Sequence, residues 1–170
     1  MSLRKREPIM RAIEAGAAQE SAAAEHLDLR LWLRLMAVHK SVKDELGRRL
    51  YQEFSMTLPR FDLMSHLSRQ PKGMRMVELS RRLMVTNGNI TGITDRLEEE
   101  GIVLRSVDPQ NRSAILITLT AKGKKTFSSA AKVHEKLVSE MFNGLTEKEK
   151  ILLLDLLSKQ RTSLKSLRAG

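Results

Sequence analysis

From Asp28 onward the chain alternates apolar and polar positions in steps of three and four. Trp32, Leu35, His39, Val42, Leu46, Leu50 and Phe54 recur at that spacing, which predicts a long helix with one buried stripe. Leu31, Leu33 and Met36 add apolar surface beyond that stripe, as expected of a helix that meets a partner chain. Thr57 predicts the cap of a second helix, with Pro59 in its first turn and Phe61, Met64 and Leu67 facing inward. Pro71 and Gly73 end it. Met76, Leu79 and Leu83 suit a helix of about two turns. A three-residue turn, Met84-Val85-Thr86, leads to a helix over 87–100 that stops at Gly101, with Ile90, Ile93 and Leu97 as its buried edge.

The period then changes. Residues 102–107 and 114–120 are β-branched and aliphatic, and they flank Asp108-Pro109-Gln110-Asn111-Arg112-Ser113, so they read as a β-hairpin. Thr120 caps a helix whose stripe (Phe127, Ala131, His134, Val138, Met141, Leu145) steps like a heptad seam. Thr146-Glu147-Lys148-Glu149 is a capping box for a last helix carrying Leu152, Leu153, Leu156, Leu157, Leu164 and Leu167. Residues 1–26, rich in Ala and Glu but without a strong apolar face, read as a partly helical N-terminal arm.

Helix, helix, three-residue turn, helix and hairpin in that order make a winged helix-turn-helix. The fold class is mainly α with a small β-hairpin wing and a helical dimerisation region. Residues 58–119 form the DNA-binding lobe, and 27–57 with 120–170 form the dimerisation region. In such a unit the second helix of the pair offers a polar, uncrowded face to the major groove. That face is centred on Gly88, Thr91, Gly92 and Asp95, with Thr86, Asn87 and Asn89 near its N-terminal end. Asn suits bidentate pairing with adenine, and Thr meets polar base edges or a thymine methyl. Two mid-helix glycines cost about 1 kcal/mol each relative to Ala, so they call for a reason. Close backbone approach to a ligand is one, and helix–helix packing is the alternative. Arg112 at the hairpin tip is placed to enter a minor groove or meet phosphates. Asp108 is better suited to fixing the turn or orienting Arg112. Arg75, Arg81, Arg82 and Arg105 surround the unit as candidate phosphate contacts, each also readable as a surface charge.

Charge adds less than its total suggests. The 170 residues carry a formal net charge of +10, which points to an acidic partner, nucleic acid before an anionic membrane. The surplus divides as +3, +4 and +3 over residues 1–70, 71–125 and 126–170, so it locates no site. Zero Cys removes disulfide scaffolds, Cys-ligated zinc and thiol redox sensing. No apolar run approaches the roughly 20 residues of a bilayer span, and a soluble cytoplasmic protein is expected. His134-Glu135 begins like a zinc-protease helix, but position 138 is Val and the second ligand is absent. No nucleophile motif or phosphate loop appears, so neither an enzyme nor a bound cofactor or metal is expected.

The stretch VTNGNITGITDRLEEEGIVLRSVDPQNRSAILITLTAKG, within Leu79 to Gly123, resembles the MarR family of bacterial transcription regulators. Its most specific part is the wing tip, Asp108 and Arg112, followed by a strand and Leu119-Thr120. TLPRFDLMSHL at 57–67 resembles the family's second helix, so the likeness runs from about residue 29 to 167. Asn111 departs from it, since many members carry a second Asp there. The resemblance implies a homodimer on a pseudo-palindromic DNA operator, with the first and last two helices of each chain interlocked. It also implies repression relieved by a small aromatic acid, phenol or thioester. The matching cleft would draw on Trp32, His39, Arg60, Phe61 and His66, although Trp32 and His39 also share a core stripe. A sequence-neutral architectural DNA protein and a helical protein-interaction module are the alternatives.

Overall fold

The computed structural model describes residues 26–167. The expected N-terminal arm lies outside them except for His26. The first helix, α1 (Leu27–Phe54), spans the junction of two compact units, one running through Asp44 and the other starting at Glu45. In the first unit the expected buried stripe is not buried. Trp32, Leu35 and His39 are exposed, as are Leu31, Leu33, Met36 and Val38. Only beyond Asp44 does the stripe enter a core, at Leu46 and Leu50.

In the second unit α2 (Leu58–Ser68) follows Thr57, which occupies the N-cap position but accepts no hydrogen bond through its side chain; Pro59 supplies the pre-set first turn. Phe61, Leu63, Met64 and Leu67 of α2 are buried. They form the centre of a core completed by Leu50, Met74, Leu79, Ile90, Leu97, Ile117 and Leu119, among others. Each such aliphatic or aromatic side chain stabilises the fold by about 1.5–3 kcal/mol relative to exposure.

A two-residue strand, β1 (Met74–Arg75), comes next and has no counterpart in the sequence reading. Its hydrophobic pattern is too short to show a period. It leads directly into α3 (Met76–Leu83), which is followed by α4 (Asn87–Glu99). The hairpin strands are β2 (Val103–Asp108) and β3 (Asn111–Leu119), so the expected six-residue turn shrinks to Pro109-Gln110. The sheet is antiparallel in the order β1-β3-β2, with Met74 opposite Ile117 and Arg75 opposite Leu116. Gly73 precedes it with φ +90°, where a Cβ would lie 2.7 Å from the Thr118 methyl.

Helix α5 (Ala121–Met141) is capped by Thr120, whose hydroxyl accepts from the Gly123 amide at 3.0 Å. Gly123 is required by contact, because a Cβ there would sit 2.1 Å from the Ile102 carbonyl oxygen. The buried positions of α5 are Gly123, Ala130 and Leu137, a seven-residue repeat. The expected stripe from Phe127 to Met141 is half-buried beside it. The last helix, α6 (Glu147–Ser166), begins with the expected capping box between Thr146 and Glu149 and buries none of its residues.

Candidate nucleic-acid interface

Helix α4 is set by the turn before it. Met84 adopts the left-handed region (φ 53°) and ends α3, its amide donating to the Ser80 carbonyl. Thr86 then caps α4, and its hydroxyl accepts from the Asn89 amide at 3.3 Å. The inward face of α4 is Ile90, Thr94 and Leu97, with Ile93 only half-buried. Thr94 replaces Ile93 at the centre of that face and was missed because a threonine reads as polar. Its hydroxyl donates to the Ile90 carbonyl at 2.9 Å, which satisfies it inside the helix.

At about 100° per residue, the side opposite Ile90, Thr94 and Leu97 carries Gly88 and Gly92 at its centre. Asn89 and Arg96 flank them on one side, and Thr91 and Asp95 on the other; all but half-buried Asp95 are exposed. A Cβ at position 88 or 92 would meet nothing within 4 Å. Packing against the described residues therefore does not explain either glycine. The centre of the outward face is bare backbone, flanked by the Asn89 amide, the Thr91 hydroxyl, the Arg96 guanidinium and the Asp95 carboxylate.

The cations around this face divide into committed and free. Arg105 on β2 donates to the Thr94 hydroxyl at 2.8 Å and pairs with Asp95, and its Nη1 lies 3.3 Å from Glu98. Its amide also donates to Glu98 at 3.2 Å. This side chain, a candidate phosphate contact in the sequence, ties β2 to α4. Arg75 is likewise paired, with Asp108. Arg82 forms an exposed 2.8 Å pair with Glu78 one turn earlier on α3, of the kind that contributes little to stability.

Arg112 is exposed and pairs with none of the described residues. It lies on β3 rather than in the turn. Asp108 does fix the turn, as expected, by accepting from the Gln110 amide at 2.9 Å. It does not orient Arg112 by direct pairing, because its cationic partner is Arg75. The Gln110 amide and the Arg75 guanidinium hold its carboxyl below the usual range. Asn111, where the wing departs from the family pattern, accepts from both the amide (3.1 Å) and the hydroxyl (2.7 Å) of Ser113. It locks the strand entry as an Asx turn does.

With this geometry in place, the comparisons with known proteins decide the family. A family model described as MarR family matches residues 56–115, from the entry of α2 to the wing. A MarR family transcriptional regulator of Silicibacter pomeroyi is 30% identical, covering 84% of this chain and 96% of its own, with a TM-score of 0.69. The chain belongs to the MarR family.

Other relatives agree in kind. YkoM of Bacillus subtilis, an uncharacterized HTH-type transcriptional regulator, is 29% identical over 85 residues. That alignment covers 50% of this chain and 55% of YkoM, so the chain spans about half the length of that relative. MepR of Staphylococcus aureus, solved as a complex with DNA, shares the fold at 22% identity, covering 78% of this chain and 96% of its own (TM-score 0.66). The MarR-family relatives and the winged helix are those of transcriptional regulators. Among the described residues no helix is long and apolar enough to cross a membrane.

The residues expected to line the family's ligand cleft are not used alike. Trp32 and His39 are exposed on the first unit of α1. In the second unit Phe61 is buried, its ring 4.6 Å from His134 in a stack and 5.4 Å from Phe127. It serves the core and lines no open wall. His66 is half-buried. Arg60 pairs with Glu100 at the end of α4, while its Nε is buried without a hydrogen-bond partner. It borders a cavity of about 330 Å³ between the end of α1, the start of α2 and α4. Tyr51, Ser55 and Arg96 also line it, along with Gly88 and Gly92. The sequence offered no periodic signal for Tyr51 or Arg96, because both are polar-side residues of their helices.

Proposed function

We propose that this chain is a cytoplasmic, sequence-specific transcriptional repressor that binds a pseudo-palindromic operator as a homodimer and is released by a small anionic ligand. The observation that carries the reading is the bare outward strip of α4 at Gly88 and Gly92, bordered by Asn89 and Thr91. A helix face without side chains at its centre brings its backbone close to a groove, and the bordering amide and hydroxyl read base edges. The helix start at Thr86 and Asn87 enters the same groove. Arg112 supplies the wing's contact to the minor groove or its phosphates. Arg82 is the remaining candidate phosphate contact, its pair with Glu78 being exposed and easily exchanged.

The exposed apolar side chains of α1 and α6 support the homodimer, since a single soluble chain rarely leaves such patches uncovered. For the effector, the cavity beside Arg60 and Arg96 brings two guanidiniums and the Tyr51 and Ser55 hydroxyls together against α4. A carboxylate or phenolate held there would press on the reading helix directly. Trp32, His39 and His66 are outside this cavity's lining, so Arg60 is the one expected ligand residue retained.

The test begins with in vitro selection of a duplex by the full-length protein, followed by affinity at fixed salt. Arg112→Ala should weaken binding by about 1–3 kcal/mol. Unchanged affinity would remove the wing from the interface, and recovery of no preferred sequence would favour a sequence-neutral DNA protein. A thermal-shift screen of aromatic carboxylates, phenols and their coenzyme A thioesters tests the effector.

A further inference from the structure

We propose that Arg75 is a positioning residue that sets the wing through Asp108, and that it does not contact phosphate itself. The proposal rests on the DNA-reading function above and adds a device to it. Arg75 is both the last residue of β1 and the N-cap residue of α3, so it stands where the helix pair meets the sheet. Its partner across β3 is Leu116, which in turn faces Ser106 on β2. Side chains directly opposite in a sheet share a face, and Asp108, two residues beyond Ser106, returns to that face.

The Arg75 guanidinium spans it, with Nε 2.7 Å and Nη2 2.5 Å from Asp108 Oδ2. The other carboxylate oxygen, Oδ1, accepts the Gln110 amide at 2.9 Å. The two partners differ in exposure: Asp108 is 5% exposed, whereas Arg75 is open to solvent. A carboxylate so enclosed is costly without its cation, whereas the cation alone would be solvated.

The strand ladder does not set the direction of the turn by itself. Pairing between β2 and β3 slips at Val107/Asp108: Val107 faces Ile115 but Asp108 faces Asn111, so residues 112–114 of β3 are extra to the ladder. A bulge bends a strand and re-aims the residues beyond it. The Arg75–Asp108 pair fixes that bend against β1 and the start of α3. Arg112 follows Asp108 by four residues and is the first of the extra β3 residues, next to the Asp108–Asn111 pair. Removing the guanidinium leaves a buried anion unpaired at the bend, and the turn relaxes. Arg112 then loses its fixed offset from Gly88 and Gly92 on α4.

The experiment uses the full-length protein and a labelled duplex selected by it. Dissociation constants are measured at fixed salt for R75Q, R75K, D108N and R112A, and for R75Q combined with each of the last two. R75Q is expected to weaken binding about tenfold. That loss should largely vanish when D108N or R112A is already present, because all three changes disable one device. R75K, which keeps a single point donor, should restore part of the affinity. A direct phosphate contact predicts the opposite. R75Q would then cost the same in every background and lower the salt slope by about 0.9 for the one phosphate left unneutralised. Either that additivity or full affinity of R75Q overturns the proposal. If the unmodified protein selects no duplex, the DNA-reading function itself fails, an outcome distinct from a cycle that fails with a good duplex in hand.

Discussion

A methyl group added at position 88 or 92 would meet no atom of the described residues within 4 Å, and Gly92 stands in the interior of α4, where glycine is unfavourable by about 0.8–1.0 kcal/mol relative to alanine. Stability alone would favour alanine at both sites. The double variant G88A/G92A is therefore expected to be more stable than the unmodified chain by about 1 kcal/mol, most of it from position 92, measured by urea unfolding. The same variant should bind its selected duplex more weakly, because two methyl groups now stand between the helix backbone and the groove. A gain in stability with no loss of affinity would mean that the backbone does not approach DNA at these residues. Gly123 gives the contrasting case, since its missing side chain is explained entirely by the Ile102 carbonyl.

At the scale of elements, the packing of α2 on α5 carries a titratable group. His134 stacks on Phe61, and burial pushes its imidazole below the usual value of 6.5, with Asp62 opposing weakly by its charge. The native state thus resists protonation there, while the unfolded chain takes the proton near 6.5. The contribution is complete above that pH and is lost as pH falls from it toward the lower native value. His134→Phe keeps a ring against Phe61 and removes the titration. Its thermal midpoint should fall less steeply than that of the unmodified protein on acidification below pH 6.5. Parallel curves would remove His134 from the acid response. The elements themselves were largely legible in sequence, because α2, α4, α5 and α6 announce themselves by period, Thr caps or a terminal Gly. The short strand β1 was not legible, since two residues carry no period. Nor was the commitment of Arg75 and Arg105. A basic residue has the same spelling whether it faces phosphate or a carboxylate that the fold brings from 33 or 10 positions away.

At the scale of the whole molecule, α6 poses the largest imbalance. Ile151, Leu152, Leu153, Leu154, Leu156 and Leu157 surround the helix axis on every side, and all are exposed in the single chain. A helix stretch that is apolar all round is suited to burial, and none of the described residues covers it fully. Part of the cover is prefigured by a hollow of about 350 Å³ in which Leu153, Leu154 and Leu157 face Val138 and Phe142 of the preceding segment. In the proposed homodimer a second copy would bring its own α1 and α6 to that surface, as a two-fold interface in which one patch serves both partners requires. Light scattering at micromolar concentration should give twice the chain mass of 19.3 kDa. The thermal midpoint should rise with protein concentration, because folding and association are then one equilibrium. Leu153→Glu with Leu157→Glu should abolish the dimer and lower the midpoint together, by placing charges where the interface is apolar. A folded, stable monomer in the unmodified protein would overturn the interlocked arrangement, and with it the two half-sites that a pseudo-palindromic operator requires.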